Sequence, residues 1–201
     1  MANYTGPQVV DITSYDTFRA AVNGNGYNVN SDQYGAQCVD AFMLLNYNVG
    51  GYTFPYAKAE PNGYAYELWD DPTSRAWNAS DKYTLIERLE DVQRGDMMVF
   101  GPSYYYPTFG HNTFADQNYN PSDPEHINAL GQNQLNGVPF PGGGKCFNVE
   151  STLTLNFLGA FRLKSWNSTP PSPPVPPQSK RTSRLPLILM TRHLINPDSM
   201  L

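Results

Sequence analysis

Residues 34–45 read Tyr34-Gly35-Ala36-Gln37-Cys38-Val39-Asp40-Ala41-Phe42-Met43-Leu44-Leu45, and their spacing frames the rest of the chain. Cys38, Ala41, Phe42 and Leu45 recur at three and four residues, the period of an amphipathic helix, and Gly50-Gly51 lie beyond its end. Cys38 then falls in the first helical turn. A thiol there feels the positive end of the helix dipole, which favours the thiolate and makes Cys38 a candidate nucleophile. The same residue also reads as a small buried apolar group on the helix face.

Working outward, Thr13 or Ser14 can cap an earlier helix that carries Phe18, Ala21 and Val22 and ends at Gly24 and Gly26. A short helix is expected over residues 65–69, stopped at Asp71-Pro72 because the residue before proline leaves the helical region. Beyond it the pattern changes to β-prone stretches at 97–100, 111–115, 129–133, 145–149 and 151–163, separated by Gly, Pro and Asn clusters. Helices first and an antiparallel sheet after is an α+β order.

Composition bounds the function. The chain has 201 residues, 13 Lys and Arg against 18 Asp and Glu, and a net charge of -5, which fits one soluble domain with a tail. No stretch reaches the roughly 20 apolar residues of a membrane helix, and Met1-Ala2-Asn3-Tyr4 lacks the basic start and apolar core of a signal peptide. Membrane insertion and signal-led secretion are therefore not expected. Cys38 and Cys146 are the two cysteines, too few for a disulfide scaffold, a four-cysteine zinc site or an iron–sulfur cluster. Cys146 reads as a buried strand thiol, and both cysteines are expected reduced.

Residues 1–164 carry 9 basic and 17 acidic side chains, net -8, whereas residues 165–201 carry 4 basic and 1 acidic, net +3. The split coincides with Pro170-Pro171-Ser172-Pro173-Pro174-Val175-Pro176-Pro177, an extended spacer. The expected organisation is a folded domain over 1–164, a Pro-rich linker over 165–178 and a basic disordered tail over 179–201. Such spacers lead to further modules, so the domain reads as one half of a two-part protein. The acidic core and the lack of a basic stripe argue against a nucleic-acid partner. The basic tail suits charge attraction to an anionic polymer.

His111, preceded by Gly110 and opening a strand, is the histidine that could take a proton from Cys38. It also reads as a structural residue at a strand start. His126 looks like an exposed loop residue, and three scattered histidines do not provide a zinc site.

Taken together, Tyr34-Gly35-Ala36-Gln37-Cys38-Val39-Asp40, Gly95-Asp96-Met97-Met98-Val99-Phe100, Gly110-His111 and Gly131-Gln132-Asn133 resemble the ordered landmarks of the CHAP family, the cysteine, histidine-dependent amidohydrolases and peptidases. The likeness covers residues 10–164. It implies a papain-like cysteine peptidase fold with N-terminal helices packed on an antiparallel sheet. It also implies cleavage of amide bonds in bacterial peptidoglycan, in the stem peptide or cross-bridge (endopeptidase) or at the sugar–peptide link (N-acetylmuramoyl-L-alanine amidase). Many such domains belong to phage or prophage lysins, made in the host cytoplasm without a signal peptide and acting at the wall after release or as virion components. A monomer is expected.

By that resemblance Cys38 is the nucleophile, His111 the general base and Gln37, with the Cys38 N–H, the oxyanion donor. The family commonly places an acidic residue where this chain has Gly131, which leaves Asn133 to orient the imidazole. Many relatives bind calcium through a D-x-D pair before the cysteine. Here the stretch reads Asn28-Val29-Asn30-Ser31-Asp32, so Asn28, Asn30, Asp32 and Asp40 are the candidate ligands and no obligatory calcium, nor any other cofactor, is expected. Asp96 reads as a structural turn residue. Tyr105 and Tyr106, within Tyr104-Tyr105-Tyr106, and Trp69, with Trp77 beside it, are candidate walls of a substrate groove. The alternative class is a CHAP-fold protein that binds wall or serves as a virion part with weak or no catalysis, motivated by Gly131 and the altered D-x-D loop. A cellular cysteine peptidase acting on proteins is a third.

Overall fold

Ser14 caps the first helix of the protein, α1 (Tyr15–Val22), by accepting from the Thr17 N–H at 3.2 Å, while the Ser14 N–H donates to Thr17 Oγ1 at 3.1 Å. The reciprocal pair satisfies two of the donors a helix start leaves open. The computed structural model describes residues 3–51, 54–103, 107–133, 142–143, 146–151 and 156–168. The Pro-rich segment and basic tail, the aromatic triplet at 104–106 and the segment 134–141 lie outside the described residues.

The helix that carries Cys38, α2 (Cys38–Gly50), begins at that residue and keeps Gly50 as its last. The sequence predicts a one-sided amphipathic helix, but Asp40, Ala41, Phe42, Met43, Leu44, Leu45 and Asn46 are buried in succession. α2 is therefore a central helix, covered all round. The short helix expected near residue 65 is α3 (Glu67–Asp70), and it does end before Pro72. Pro72 does not stop helical structure, however. It opens α4 (Pro72–Asn78), with Asp71 Oδ2 accepting from the Ser74 N–H at 2.6 Å, because proline suits a first helical position where no N–H is needed.

The described strands of the main sheet are β4 (Tyr83–Ile86), β5 (Met97–Phe100), β6 (His111–Ala115), β7 (Ile127–Gln132), β9 (Cys146–Ser151) and β10 (Phe157–Leu163). They pair antiparallel in the order β4-β10-β5-β6-β7-β9, which establishes the α+β class. Two small parallel pairs flank it: β1 (Asn3–Thr5) with β2 (Gly26–Asn28), and β3 (Gly35–Ala36) with β8 (Gly142–Gly143). β4 was not legible as a strand in advance, although Tyr83-Thr84-Leu85-Ile86 has the composition of one.

Paired residues share a face of the sheet and neighbours alternate. Met97, Val99, Phe114, Leu130 and Phe161 meet Phe18, Phe42 and Leu45 of the helices. Met98, Phe100, Ala115, Ala129 and Ala160 build a second cluster on the opposite face with Ile86, Val92 and Ile127. Trp69 belongs to the helix-side core. It is 6% exposed, stands edge-on to Phe161 with ring centroids 5.4 Å apart, and lies so close to Gly159 that a Cβ there would overlap the indole. This corrects the expectation of Trp69 as a groove wall; Trp77 is the exposed one, with Lys58 over its ring.

Packing continues past Lys164. A 3-10 turn, Lys164–Ser168, carries Trp166, whose Nε1 donates to the Ile12 carbonyl at 2.9 Å and whose ring meets Tyr15 and Phe18. Asp96, expected as a turn residue, is a buried anion that closes the sheet. Its carboxylate takes two bonds at 2.7 Å from Arg162 of β10 and one at 2.8 Å from the Gln93 N–H. Because Arg162 keeps only 14% of its side chain exposed, Asp96→Ala strands a guanidinium charge. Denaturant unfolding is expected to register a loss of roughly 3–5 kcal/mol.

Candidate active site

The Cys38 thiol is framed by backbone N–H groups. The N–H groups of Asn112, Val39 and Cys38 itself each favour its thiolate, and the start of α2 packs against β6 there. Burial nevertheless outweighs these donors and pushes the thiol up to about 11, with the Asp40 charge adding to the rise. The helix-dipole expectation of a lowered pKa is therefore reversed. Desolvating a thiolate costs more than one helix end returns.

His111 opens β6 opposite Phe100 and is 1% exposed. It shares Phe100's face of the sheet, whereas the next residue, Asn112, shares that of Val99 and faces α2. The Asn112 side chain is itself buried, and its Nδ2 has no hydrogen-bond partner. An unpaired buried donor near Cys38 is a local cost to stability. Gly110 has φ +63°, and a Cβ there would overlap the Phe100 carbonyl and the Tyr66 side chain. Glycine is required to bring the chain into β6 at this angle.

Gln37, the residue before the thiol, is held by two amides. Gln132, fully buried at the end of β7, accepts from the Tyr27 N–H at 2.7 Å and donates to the Tyr27 carbonyl at 3.1 Å and the Gln37 carbonyl at 2.7 Å. Asn133, with φ +55°, turns out of the strand and donates through Nδ2 to Gln37 Oε1 at 3.0 Å. Gln37 in turn donates through Nε2 to the Tyr34 carbonyl at 2.6 Å. Asn133 and Gln37, read from the sequence as separate parts of the site, are thus bonded to each other. Gln132 carries no role in the sequence reading; its signal is a polar residue that closes the strand on the face of Leu130.

Asp40 is 4% exposed, and both its oxygens are occupied: Oδ1 by the Val29 N–H at 2.7 Å and Oδ2 by the Gln37 N–H at 2.8 Å. Burial pushes its carboxyl up to about 7 against the pull of these donors. Asn28 and Asp32 close the preceding turn on each other, with Asn28 Oδ1 accepting from the Asp32 N–H and Asn28 Nδ2 donating to the Asp32 carbonyl, while Asp32 Oδ1 accepts from the Tyr34 N–H. Among the described residues no three His, Cys, Asp or Glu side chains cluster as metal ligands. Three of the four carboxylate oxygens of Asp32 and Asp40 accept backbone N–H groups. His126 is half-buried and paired with Asp123 through Nδ1 at 2.7 Å. Tyr105 and Tyr106 lie outside the described residues, as does the side chain of Cys146.

Gln132→Ala leaves the Tyr27 N–H and carbonyl and the Gln37 carbonyl without their partner. Chemical denaturation should show a loss of about 2–4 kcal/mol. Gln132→Glu should not rescue it, because a carboxylate cannot donate to the two carbonyls.

No family model matches the chain, and no curated protein matches it. Among solved structures it is similar to the crystal structure of a wild-type endolysin, LysIME-EF1, with a TM-score of 0.54 and 20% identity over 75% of this chain and 64% of that one. The chain thus spans slightly less than two thirds of that structure, and the likeness is one of fold.

Proposed function

We propose that this chain is a peptidoglycan hydrolase that cleaves amide bonds through Cys38 and His111, with the papain-like arrangement of the CHAP family. The observation that carries the reading is the packing of β6, which His111 opens, against α2, with the Asn112 N–H close enough to the Cys38 thiol to favour its thiolate. That packing supports a shared site for the two chemistry-bearing segments. The fold likeness to an endolysin supports the substrate, and a phage or prophage lysin acting at the cell wall as a monomer, without obligatory calcium, fits both.

In the proposed reaction the His111 imidazole, which the register puts on the face of the sheet away from α2, must first turn to the sulfur; Sγ then attacks the amide carbon as His111 takes the thiol proton, and the carbonyl π electrons move to oxygen. The oxyanion is met by N–H groups at the α2 start and by Gln37, held by Asn133 and Tyr34. Collapse breaks the C–N bond, and the imidazolium returns its proton to the departing amine. Water, deprotonated by His111, then hydrolyses the thioester and restores the thiol. Asn133 serves as the third residue in place of the carboxylate that Gly131 cannot supply.

One observation favours a second reading, a wall-binding or structural virion protein with weak catalysis: the thiol lies far from its reactive form at neutral pH, being pushed up to about 11. Turbidity of purified Gram-positive walls decides between them. Clearing by the parent protein and not by Cys38→Ser establishes the hydrolase, and mass analysis of released fragments separates stem-peptide amines from free lactyl ends. Failure of both proteins to clear any wall, with thiols reduced, leaves the binding reading.

The resting thiol gives an independent check. With a pKa of about 11, only on the order of 1 in 10⁴ sulfurs is thiolate at pH 7, so alkylation of Cys38 by iodoacetamide should accelerate about tenfold per pH unit up to pH 10. A rate already flat above pH 7 contradicts it.

A further inference from the structure

Two of the large apolar side chains that remain exposed flank the candidate site. Phe109, 58% exposed, precedes His111 by two residues, and Tyr34, 63% exposed, precedes Cys38 by four. Single exposed aromatics need no explanation, but Phe109 is not single. Its ring meets Tyr64 edge to face with centroids 5.1 Å apart, and Tyr64 meets Tyr66 at 5.8 Å.

The group is built rather than incidental. The Tyr66 N–H donates to the Phe109 carbonyl at 3.2 Å. Glu67, 4% exposed, accepts from the Tyr64 N–H at 2.9 Å, from the Asn62 N–H at 3.0 Å and from Asn62 Nδ2 at 2.7 Å. A buried carboxylate is thus committed to holding the backbone that presents these rings. On the other side the Tyr34 carbonyl is fixed by Gln37 Nε2. Because β6 packs against α2 and the Asn112 N–H lies close to the Cys38 thiol, the segments carrying Phe109 and Tyr34 approach the same end of α2.

We propose that Phe109, backed by Tyr64 and Tyr66, and Tyr34 are the two walls that hold the N-acetylated sugar rings of the glycan strand beside the scissile amide. This inference rests on the peptidoglycan reading for its polymer and goes beyond it in naming the part that is gripped. A pyranose presents C–H bonds on its face and hydroxyls on its rim, which matches phenyl and phenol rings. Residues 61–66 and 101–115 contain no Asp, Glu, Lys or Arg, so the ledge offers nothing to the charged ends of a stem peptide. A domain whose residues 1–164 carry net -8 is also repelled by anionic wall polymers, and neutral ring contacts supply affinity that does not depend on charge. Rings fixed beforehand lose little entropy on binding.

The test uses the full chain carrying Cys38→Ala, which cannot cleave, titrated calorimetrically with the N-acetylglucosamine tetramer and, separately, with the stem tetrapeptide L-Ala-D-Glu-L-Lys-D-Ala. The sugar should bind, and adding Phe109→Ala should weaken it about tenfold while Phe109→Tyr restores it. Peptide affinity and the thermal midpoint should not move with either substitution. In the cleaving protein the same Phe109→Ala should raise KM about tenfold and leave kcat within about twofold. Absence of sugar binding at millimolar concentration, sugar affinity indifferent to Phe109→Ala, or an equal loss for the peptide overturns the proposal. A chain that binds the sugar through Phe109 but clears no wall sinks the hydrolase reading and leaves this one standing. A chain that clears walls with sugar affinity indifferent to Phe109 does the reverse.

Discussion

The side-chain amide of Gln132 does the work of a strand. Its oxygen and nitrogen pair with the Tyr27 backbone as a neighbouring strand would, and the same nitrogen reaches the Gln37 carbonyl. Three segments distant in sequence, β2, the start of α2 and the end of β7, are thereby fixed to one another in a place closed to water. A backbone group buried without a partner costs about as much as a lost hydrogen bond, so none of the three can shift alone. The Asp40 carboxylate repeats the device one turn away by binding the Val29 and Gln37 N–H groups. The position of Cys38 follows from these two clamps, because Gln37, the residue each of them grips, immediately precedes it.

Central burial of α2 has a chemical consequence. A helix covered on all sides cannot rotate to present its first residue, so the geometry at Cys38 is inherited from the core. The same burial raises the thiol and the Asp40 carboxyl and leaves Asn112 Nδ2 unpaired. Costs of this kind, gathered within one turn of a candidate nucleophile, are characteristic of sites kept for chemistry and not for stability.

The helix at Cys38, the strands at residues 97–100 and 111–115 and the cap at Ser14 were legible because each rests on local signals: period, turn residues and side-chain capping. β4 was not, since an edge strand is defined by its partner, here β10. Pro72 misled because a proline ends one helix and begins another with equal ease, and only the Asp71 cap distinguishes the two. Trp69 was read as a groove residue because sequence does not show that Gly159 lies beneath its indole. Gln132 is the same kind of case. Its residue type is visible, but the bond to Tyr27 spans 105 residues and has no local trace. Phe109 and Tyr64, likewise, become a pair only when the chain from Tyr66 to Phe109 closes.

Two departures that look like separate defects have one physical result under the proposed mechanism. Gly131 alternates with Leu130 and Gln132, which face the helices, so it lies on the same face of the sheet as His111. A carboxylate there would stabilise an imidazolium, and glycine cannot. Burial of Cys38 disfavours the thiolate in the same measure. A thiolate–imidazolium pair is thus disfavoured from the sulfur side, and Cys38 rests as a neutral thiol. Charge then develops only when the thiol proton moves with the attack, at the moment the oxyanion appears and the donors at the start of α2 have something to bind. Stabilisation confined to that moment lowers the barrier without tightening the ground state. Under that mechanism selectivity for a properly seated amide follows, since a thiol held neutral at pH 7 reacts only slowly with other electrophiles.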